Sequence, residues 1–419
     1  MVVEWIRKRK NFLKNTLPKN KAELEPLKFM ARNIAVGIDI GTHQIKVMVT
    51  EKTSDKNGAP LEVLGVGMAE SNGLRYGYIV NRVDVTRSLK KAVEQAEKTS
   101  GIKIKSARLG IGGVTLESAY SSGSTIISRA DSEITDLDLE KAINDAEEKV
   151  INKISKNKKI LHTIPIEYFV DGKKLMGRPQ GLRAEKLEVQ ILSITYLEQH
   201  LEDLIEAVED IGIEVIDVIA APIAASLVTL SKTQKVAGCV LANIGAETVS
   251  VVVYENNLPI SLKIFPIGSN DITNDIALGL KIPIEEAEEI KKGRLRGVHY
   301  TQKELDEIIS ARLSDIFELI QAHLKEISKN ELLPAGIILT GGGSGIQTIE
   351  DIAKASLKLP SRKAQITSNN SRTSTKDSSW AVVYGLCVIG LSEEVEPFGI
   401  QVVKETKGSL IKFIKKFLP

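Results

Sequence analysis

The sequence predicts an α/β protein with two similar halves, because a glycine turn occurs twice directly after a buried strand. In the first half, residues 36–40 form the strand and Gly41 begins the turn; in the second, the glycine run 341–343 follows residues 337–340. Glycine has no Cβ, so the backbone can pass close to a ligand, and free N–H groups in such a turn can donate to phosphate oxygens. The spacing matches neither the Walker nor the dinucleotide-binding motif, which indicates a different phosphate-binding design.

A third glycine unit lies between these two, at residues 238–248, and a strand-like run at 249–254 follows it. Any one of the turns alone would be more typical of an ordinary loop between a strand and a helix. The three units in this order and spacing resemble the layout of the actin-like ATPase fold, in which two similar lobes carry duplicated ribonuclease-H-like domains.

Side chains next to the turns supply the charges that a nucleotide needs. Asp39 offers a carboxylate for Mg²⁺, and Lys46 offers a cation for phosphates. The sequence therefore predicts a site for ATP with Mg²⁺, in which Asp39 is the metal-binding residue. The predicted nucleotide-binding residues are Asp39, Gly41, Thr42, Lys46, Asn243, Gly245, Thr248, Gly341, Gly342 and Gly343.

Composition excludes several other classes of protein. The 419 residues are 42% hydrophobic and 26% charged, as in an ordinary globular protein, and the formal net charge of +2 gives no reason to expect nucleic acid binding. Cys239 and Cys387 lie in apolar runs and are expected to pack in the core. No apolar run is long enough to span a bilayer, so we expect a cytoplasmic protein.

Four segments of the chain resemble the FtsA family of actin-like bacterial cell division proteins. They are residues 37–42, residues 77–81, residues 268–280 with 285–288, and residues 332–336 with the following glycine run. The resemblance covers about residues 32–400 and the tail. It implies an adaptor that tethers the FtsZ ring to the cytoplasmic face of the membrane at the division septum, self-associates into filaments and binds ATP.

The resemblance and the strand pattern together predict the domain organisation, with a small α/β insert in the place of an actin subdomain. A helix capped by Asp84 is expected in lobe 1, and a long helix is expected at 302–328. The predicted parts are a basic N-terminal extension (1–30), lobe 1 (31–106, 191–221 and a returning segment at 367–392), the insert (107–190), lobe 2 (222–267 and 314–366) with an accessory subdomain (268–313), a linker (393–407) and an amphipathic helix (408–419).

The sequence departs from the family pattern where hydrolysis would take place. Asn243 replaces an aspartate that holds the Mg²⁺ shell, Glu247 replaces a glycine, and Ser250 replaces an acid. Ala221 stands where a glutamate normally orients water. An amide carries no charge for a metal shell and alanine cannot orient water, so no catalytic residue is predicted and the protein is not expected to be an enzyme. Glu247 is expected to repel phosphate.

Residues 408–419 have the pattern of an amphipathic helix that lies on a membrane. One face is apolar, lysines occupy the other, and the pattern predicts binding to anionic lipids. The alternative is a helix that packs on the core of the protein or in a partner's groove. For the basic extension at 1–30, a second weak membrane contact and a solvated tail remain equally open. The predicted membrane-binding residues are Leu410, Ile411, Lys412, Phe413, Ile414, Lys415, Lys416, Phe417 and Leu418.

Two regions are predicted to bind protein partners. The Glu-rich helix at 284–292 and the cations Lys291, Lys292, Arg294 and Arg296 form a surface expected to be exposed, and the resemblance implies that this subdomain binds the FtsZ tail. A merely solvated helix face is the alternative. The insert is expected to use a free strand edge to bind another subunit or other division proteins, although its basic residues 171–183 could equally be an ordinary loop.

Two other functions remain open at this point. A pilus-assembly actin-like protein would bind a membrane-protein peptide through the insert and would not need the tail helix. A sugar or acetate kinase would need an acid in the second phosphate unit or a catalytic base, and Asn243 and Ala221 argue against it.

Overall fold

Strands and helices alternate along the computed structural model, which describes residues 33–52, 61–295, 300–366 and 377–391. The strands are β1 (Ile34–Ile40), β2 (Gln44–Lys52), β3 (Leu61–Glu70), β4 (Leu74–Arg75), β5 (Tyr78–Ile79), β6 (Ser106–Ile111), β7 (Glu117–Ile126), β8 (Lys158–Val170), β9 (Lys173–Leu175), β10 (Lys186–Leu197), β11 (Glu214–Ala220), β12 (Cys239–Ile244), β13 (Val249–Glu255), β14 (Leu258–Phe265), β15 (Ile337–Thr340) and β16 (Ser361–Lys363). The helices are α1 (Arg82–Ser100), α2 (Asp136–Ile151), α3 (Glu198–Glu209), α4 (Ala221–Thr229), α5 (Lys232–Ala237), α6 (Ser269–Leu280), α7 (Ile284–Lys291), α8 (Gln302–Glu326), α9 (Ile349–Leu357) and α10 (Ala381–Leu391).

The two lobes contain five-stranded sheets with the same topology. The order is β3-β2-β1-β6-β11 in lobe 1 and β14-β13-β12-β15-β16 in lobe 2. In each sheet the first three strands of the lobe pair antiparallel and the last two join in parallel. The prediction of two similar halves is therefore confirmed.

The insert is a four-stranded sheet, in the order β7-β10-β8-β9, with α2 packed on it. The predicted bounds 107–190 are wrong at both ends, because β6 pairs with β1 and β11 in lobe 1 and β10 continues to Leu197. Ser118 on the edge strand β7 accepts from Leu262 N (3.0 Å) and donates to Leu262 O (2.8 Å), so the insert contacts the edge of the lobe 2 sheet.

Helix α1 covers the edge of the lobe 1 sheet that β3 forms. Thr99 Oγ1 accepts from Val66 N at 3.1 Å, and Gln95 Oε1 accepts from Met68 N at 2.9 Å, so side chains satisfy backbone groups of β3. The helix begins earlier than predicted: Asn81 is its N-cap and accepts from Asp84 N, so the expectation that Asp84 is the cap is wrong. The long helix α8 agrees with its prediction to within two residues at its end.

Several predictions concern residues outside the described ranges. These are the extension 1–30, the linker 393–407, the amphipathic helix 408–419 and Arg296. Among the described helices, none combines the length and the apolar character needed to cross a bilayer. Cys239 and Cys387 are free and buried, as expected.

A buried carboxyl group lies opposite a half-buried arginine in the lobe 1 sheet. Asp217 on β11 is the register partner of Arg108 on β6, and Asp217 is only 4% exposed. Burial raises the pKa of Asp217 from 3.8 to about 7, although Arg108 and a hydrogen bond from Val218 N act in the opposite direction. The neutral acid is therefore favoured in the folded protein.

This shift makes the stability of the protein depend on pH. Between pH 4 and 7 the folded chain holds a proton on Asp217 that the unfolded chain has released, so the free energy of unfolding falls as pH rises, by at most about 1.4 kcal/mol per pH unit. The variant Asp217→Asn lacks this contribution. In urea unfolding, we expect the free energy of unfolding of this variant, relative to that of the wild type, to be higher at pH 7 than at pH 5. Parallel pH profiles of the two proteins would contradict the assignment.

Candidate functional site

The three glycine turns meet in a cavity of about 900 Å³ between the two lobes. Every residue predicted to bind nucleotide lines this cavity, including Asp39 and Lys46 from lobe 1, Asn243 from the second unit and Gly341 from the third. The structure thus brings together segments that lie some three hundred residues apart in the sequence, and their binding role remains a prediction.

The first two turns have the same backbone geometry. Gly41 N donates to Gln44 O at 3.2 Å after β1, and Gly245 N donates to Thr248 O at 2.8 Å after β12. A Cβ on either glycine would lie 2.9 Å from that same carbonyl oxygen, so only glycine fits the turn. The two halves therefore share this turn hydrogen bond as well as their sheet topology.

An acid and a base face each other in the first unit. Asp39 on β1 and Lys46 on β2 are register partners, and Lys46 is only 7% exposed. Lys46 Nζ donates to Ser379 O at 2.7 Å and lies 5.4 Å from the centre of the Trp380 ring. Burial raises the pKa of Asp39 to about 6, against the attraction of Lys46, and burial lowers the pKa of Lys46. This pair is poorly hydrated, and each charge would be stabilised by an opposite charge placed in the cavity.

The equivalent pair in the second unit is neutral. Asn243 and Ser250 are register partners, as Asp39 and Lys46 are in the first unit. The amide oxygen of Asn243 lies beside Gly341 rather than next to a cation. The two turns therefore share a backbone but differ in charge.

The N-terminus of α6 covers the second turn, and this contact was not predicted from the sequence. Ser269 N donates to Gly245 O at 2.9 Å, and Asn270 N donates to Ala246 O at 2.8 Å. Ser269 and Asn270 also line the cavity. The Gly-Ser-Asn run that begins the segment resembling the FtsA family was the available signal, because such residues are typical of helix N-termini.

Glu247 does not line the cavity. Its carboxylate accepts from Tyr76 N at 2.6 Å and lies 3.6 Å from Arg75 Nε. These contacts direct the charge toward lobe 1 and away from the glycine backbone. The expectation that Glu247 repels phosphate therefore loses its structural basis.

The third turn is fixed to the segment that precedes α10. Ser344 Oγ donates to Gly341 O at 2.7 Å, and Thr340 Oγ1 donates to Ser378 O at 2.9 Å. Gly341 has a φ of +87°, and its hypothetical Cβ would lie 2.6 Å from Ile244 O. Gly342, by contrast, has open space on its Cβ side.

The cations assigned to a partner surface lie elsewhere than expected. Lys291, Lys292 and Arg294 line the same cavity as the glycine turns. The side chain of Lys291 is only 8% exposed, since it pairs with Glu288 at 2.7 Å and donates to Thr273 Oγ1 at 2.7 Å. The expectation of an exposed cation is therefore wrong for Lys291.

The described residues offer few ligands for a metal ion. They contain no group of three or more His, Cys, Asp or Glu side chains close enough to share one. Ala221 and Pro222 line the cavity at the end of β11, so this strand end supplies no acid. A metal ion bound to Asp39 in this cavity would need further oxygen ligands from a bound molecule and from water.

The neighbouring glycines of the third turn provide a matched test of this geometry. Gly341→Ala places a methyl group against Ile244 in a left-handed conformation, so we expect it to destabilise the protein by about 1–3 kcal/mol. Gly342→Ala should stay within about 0.5 kcal/mol of wild type. Urea unfolding of both variants measures the difference, and equal stabilities would refute the crowding described at Gly341.

Comparisons with known proteins agree with this architecture. The family model described as cell division protein FtsA matches residues 240–385, and that described as the SHS2 domain inserted in FtsA matches residues 113–195. The cell division protein FtsA of Bacillus subtilis is 31% identical over 340 residues, 76% of each chain, and that of Pseudomonas aeruginosa is 28% identical over 389 residues, 88% of this chain and 91% of the relative.

Among solved structures, the type IV pilus biogenesis complex PilM-PilN contains a similar chain, with a TM-score of 0.65 at 16% identity, covering 87% of this chain and 99% of that one. The ethanolamine utilization protein EutJ of Carboxydothermus hydrogenoformans has a TM-score of 0.51 at 14% identity, covering 85% and 89% of the two chains. These likenesses show the actin-like ATPase fold. From the identity and coverage of its relatives, the chain belongs to the FtsA family of cell division proteins.

Proposed function

We propose that this protein is a cell division adaptor that binds ATP with little or no hydrolysis, tethers FtsZ to the membrane and self-associates into filaments. The observation that carries the nucleotide part is the meeting of three glycine turns around Asp39 and Lys46. Family membership supports the division role.

The size and the chemistry of the cavity support binding of a nucleoside triphosphate. Gly41, Gly245 and Gly341 stand where a Cβ would collide with the turn backbone, so these turns present peptide groups rather than side chains. Lys46 would neutralise phosphate charge, and Asp39 would hold a Mg²⁺ ion through its water shell. Bound Mg²⁺ would screen phosphate charge. Glu288 and Lys291 place polar groups in the wall formed by the accessory subdomain, where they can bind the sugar or base.

The positions where the family pattern predicts hydrolytic groups carry residues that are unsuited to that role. Asn243 and Ser250 replace charged groups in the second unit, and Ala221 offers no group that could orient or deprotonate water. We therefore propose that the protein binds ATP with little or no hydrolysis and does not act as an enzyme.

Nucleotide binding is tested by Lys46→Met, with the exposed Lys90→Met on α1 as the matched control. Loss of a charged hydrogen bond to phosphate is worth about 1.5–3 kcal/mol, so affinity for Mg-ATP should fall about 10- to 100-fold. Thermal shift measures binding, and phosphate release measures turnover. Wild-type protein should show the shift and negligible release. Absence of any shift, or Lys46-dependent release at ordinary ATPase rates, would contradict the proposal.

Membrane attachment through residues 408–419 is proposed from the sequence, since these residues lie outside the described ranges. Four large apolar side chains on one face, at about 1.5–3 kcal/mol each, suffice for reversible binding to the membrane surface, and the lysines favour anionic lipids. The protein would then lie peripherally on the cytoplasmic face at the septum.

The FtsZ tail is proposed to bind the accessory subdomain, 268–313. Leu278 and Ile284 on α6 and α7 are 77% and 49% exposed, which offers apolar anchors. Lys292 and Arg294 line the cavity, but their side chains remain 33% and 67% exposed, and we propose that they supply cations to the tail together with Arg296. Other division proteins would bind the insert.

Tethering is tested by co-sedimentation of FtsZ with anionic liposomes. We expect the full chain to carry FtsZ into the pellet, and we expect removal of 408–419, or Phe413→Glu with Phe417→Glu, to abolish this. Phe413→Leu with Phe417→Leu preserves the apolar face and is the control. If the shortened chain binds liposomes as well as the full chain does, the anchor lies elsewhere.

A further inference from the structure

The Glu247 carboxylate joins the second glycine turn to a hairpin of the other lobe. Glu247 is in the loop between Gly245 and Thr248, and it accepts from Tyr76 N at 2.6 Å. Its side chain is 17% exposed, whereas that of Arg75, 3.6 Å away, is 65% exposed. The backbone hydrogen bond is therefore the better protected of the two contacts, and the ion pair adds little.

The hairpin that Glu247 contacts has an unusual backbone. Strands β4 and β5 pair with Arg75 opposite Tyr78, which leaves only Tyr76 and Gly77 in the loop. Tyr76 has a φ of +51° and Gly77 a φ of +88°. A tyrosine with positive φ is uncommon, and two-residue loops of this kind normally use Asn, Asp or Gly. The conformation needs support from outside the hairpin, and the Glu247 carboxylate bonded to Tyr76 N provides it.

The other side of the same loop contacts both connections to the insert. Val114 N, just before β7, donates to Tyr76 O at 3.3 Å. His200, just after β10, lies with Nε2 2.8 Å from Gly77 O and with Nδ1 2.7 Å from Thr115 Oγ1. A carbonyl oxygen only accepts, so Nε2–H donates to Gly77 and Nδ1 accepts from Thr115 in the neutral ring.

We infer that Glu247 is a positioning residue that couples the nucleotide cavity to the insert. Gly245 and Thr248, which lie before and after Glu247 in the sequence, line the cavity. Gly77 and Gly113 line it as well, at the hairpin. A ligand that orders the turn would hold the carboxylate on Tyr76 N, and Tyr76 and Gly77 would in turn order both connections of the insert. The inference rests on the proposed nucleotide binding, and the coupling is reciprocal, so a partner on the insert would also change nucleotide affinity.

Hydrogen exchange of the full chain, with and without Mg-ATP, tests this coupling. The wild type should show slower amide exchange, by about ten-fold, both in the third turn, 339–345, and at the insert connection, 113–117. Glu247→Ala should keep the protection of 339–345 and lose that of 113–117. Glu247→Gln retains an acceptor for Tyr76 N and should behave as wild type, as should Arg75→Ala, which removes only the exposed ion pair.

The outcomes separate the inference from the function on which it rests. No protection of 339–345 in the wild type would overturn nucleotide binding itself. Protection of 339–345 without protection of 113–117 in the wild type would overturn only the coupling. The coupling through Glu247 also fails if Glu247→Ala retains ligand-dependent protection of 113–117, or if it loses protection in both segments.

Discussion

The arrangement of the cavity depends on the backbone contact that α10 makes with its neighbours. A Cβ at Gly37 on β1 would lie 2.7 Å from Val383 O, and one at Gly385 would collide with Ala224 O on α4. Because these two glycines carry no side chain, α10 packs closely on the lobe 1 sheet and on α4. The segment before α10 contacts lobe 2. Lys46 donates to Ser379 O from one lobe and Thr340 to Ser378 O from the other. Close packing of a helix therefore positions the charged part of the site.

The two hairpin turns share a backbone conformation but differ in the charge of their side chains. The turn hydrogen bonds after β1 and β12 are the same, whereas the facing pair is Asp39 with Lys46 in one lobe and Asn243 with Ser250 in the other. A backbone cradle binds phosphate with N–H groups and needs no particular side chain. Activation of water needs a specific charge at a specific place. The neutral pair in the second half is therefore compatible with ligand binding, and it is one basis of our proposal that hydrolysis is negligible.

The parts of the fold that were predictable are those set by local geometry. Glycine spacing after β-branched strands located the turns of the cavity, and helical periodicity located α8. The insert bounds were wrong because the pairing of β6 with β1 and β11 is a long-range contact that leaves no local pattern. The burial of Lys291 depends on Thr273 and Glu288, and the direction of Glu247 depends on Tyr76, 171 residues away. Charge patterns in sequence indicate exposure only on average, and these side chains have specific partners.

The edges of the sheets limit how another copy of the chain could pair with the described part of this one. Side chains of α1 satisfy the edge of β3, and on β7 Asp145 accepts from Ser124 N at 2.8 Å while Ser118 bonds to Leu262. The expectation of a free edge is therefore wrong for β7. On the opposite side, β9 pairs with only the last three residues of β8, 168–170, so a free edge along the rest of β8 remains a prediction. Covered edges disfavour strand addition. Self-association at the edges of β3 and β7 would thus have to use contacts between side chains, whose specificity is set by the sequence rather than by the common geometry of the backbone.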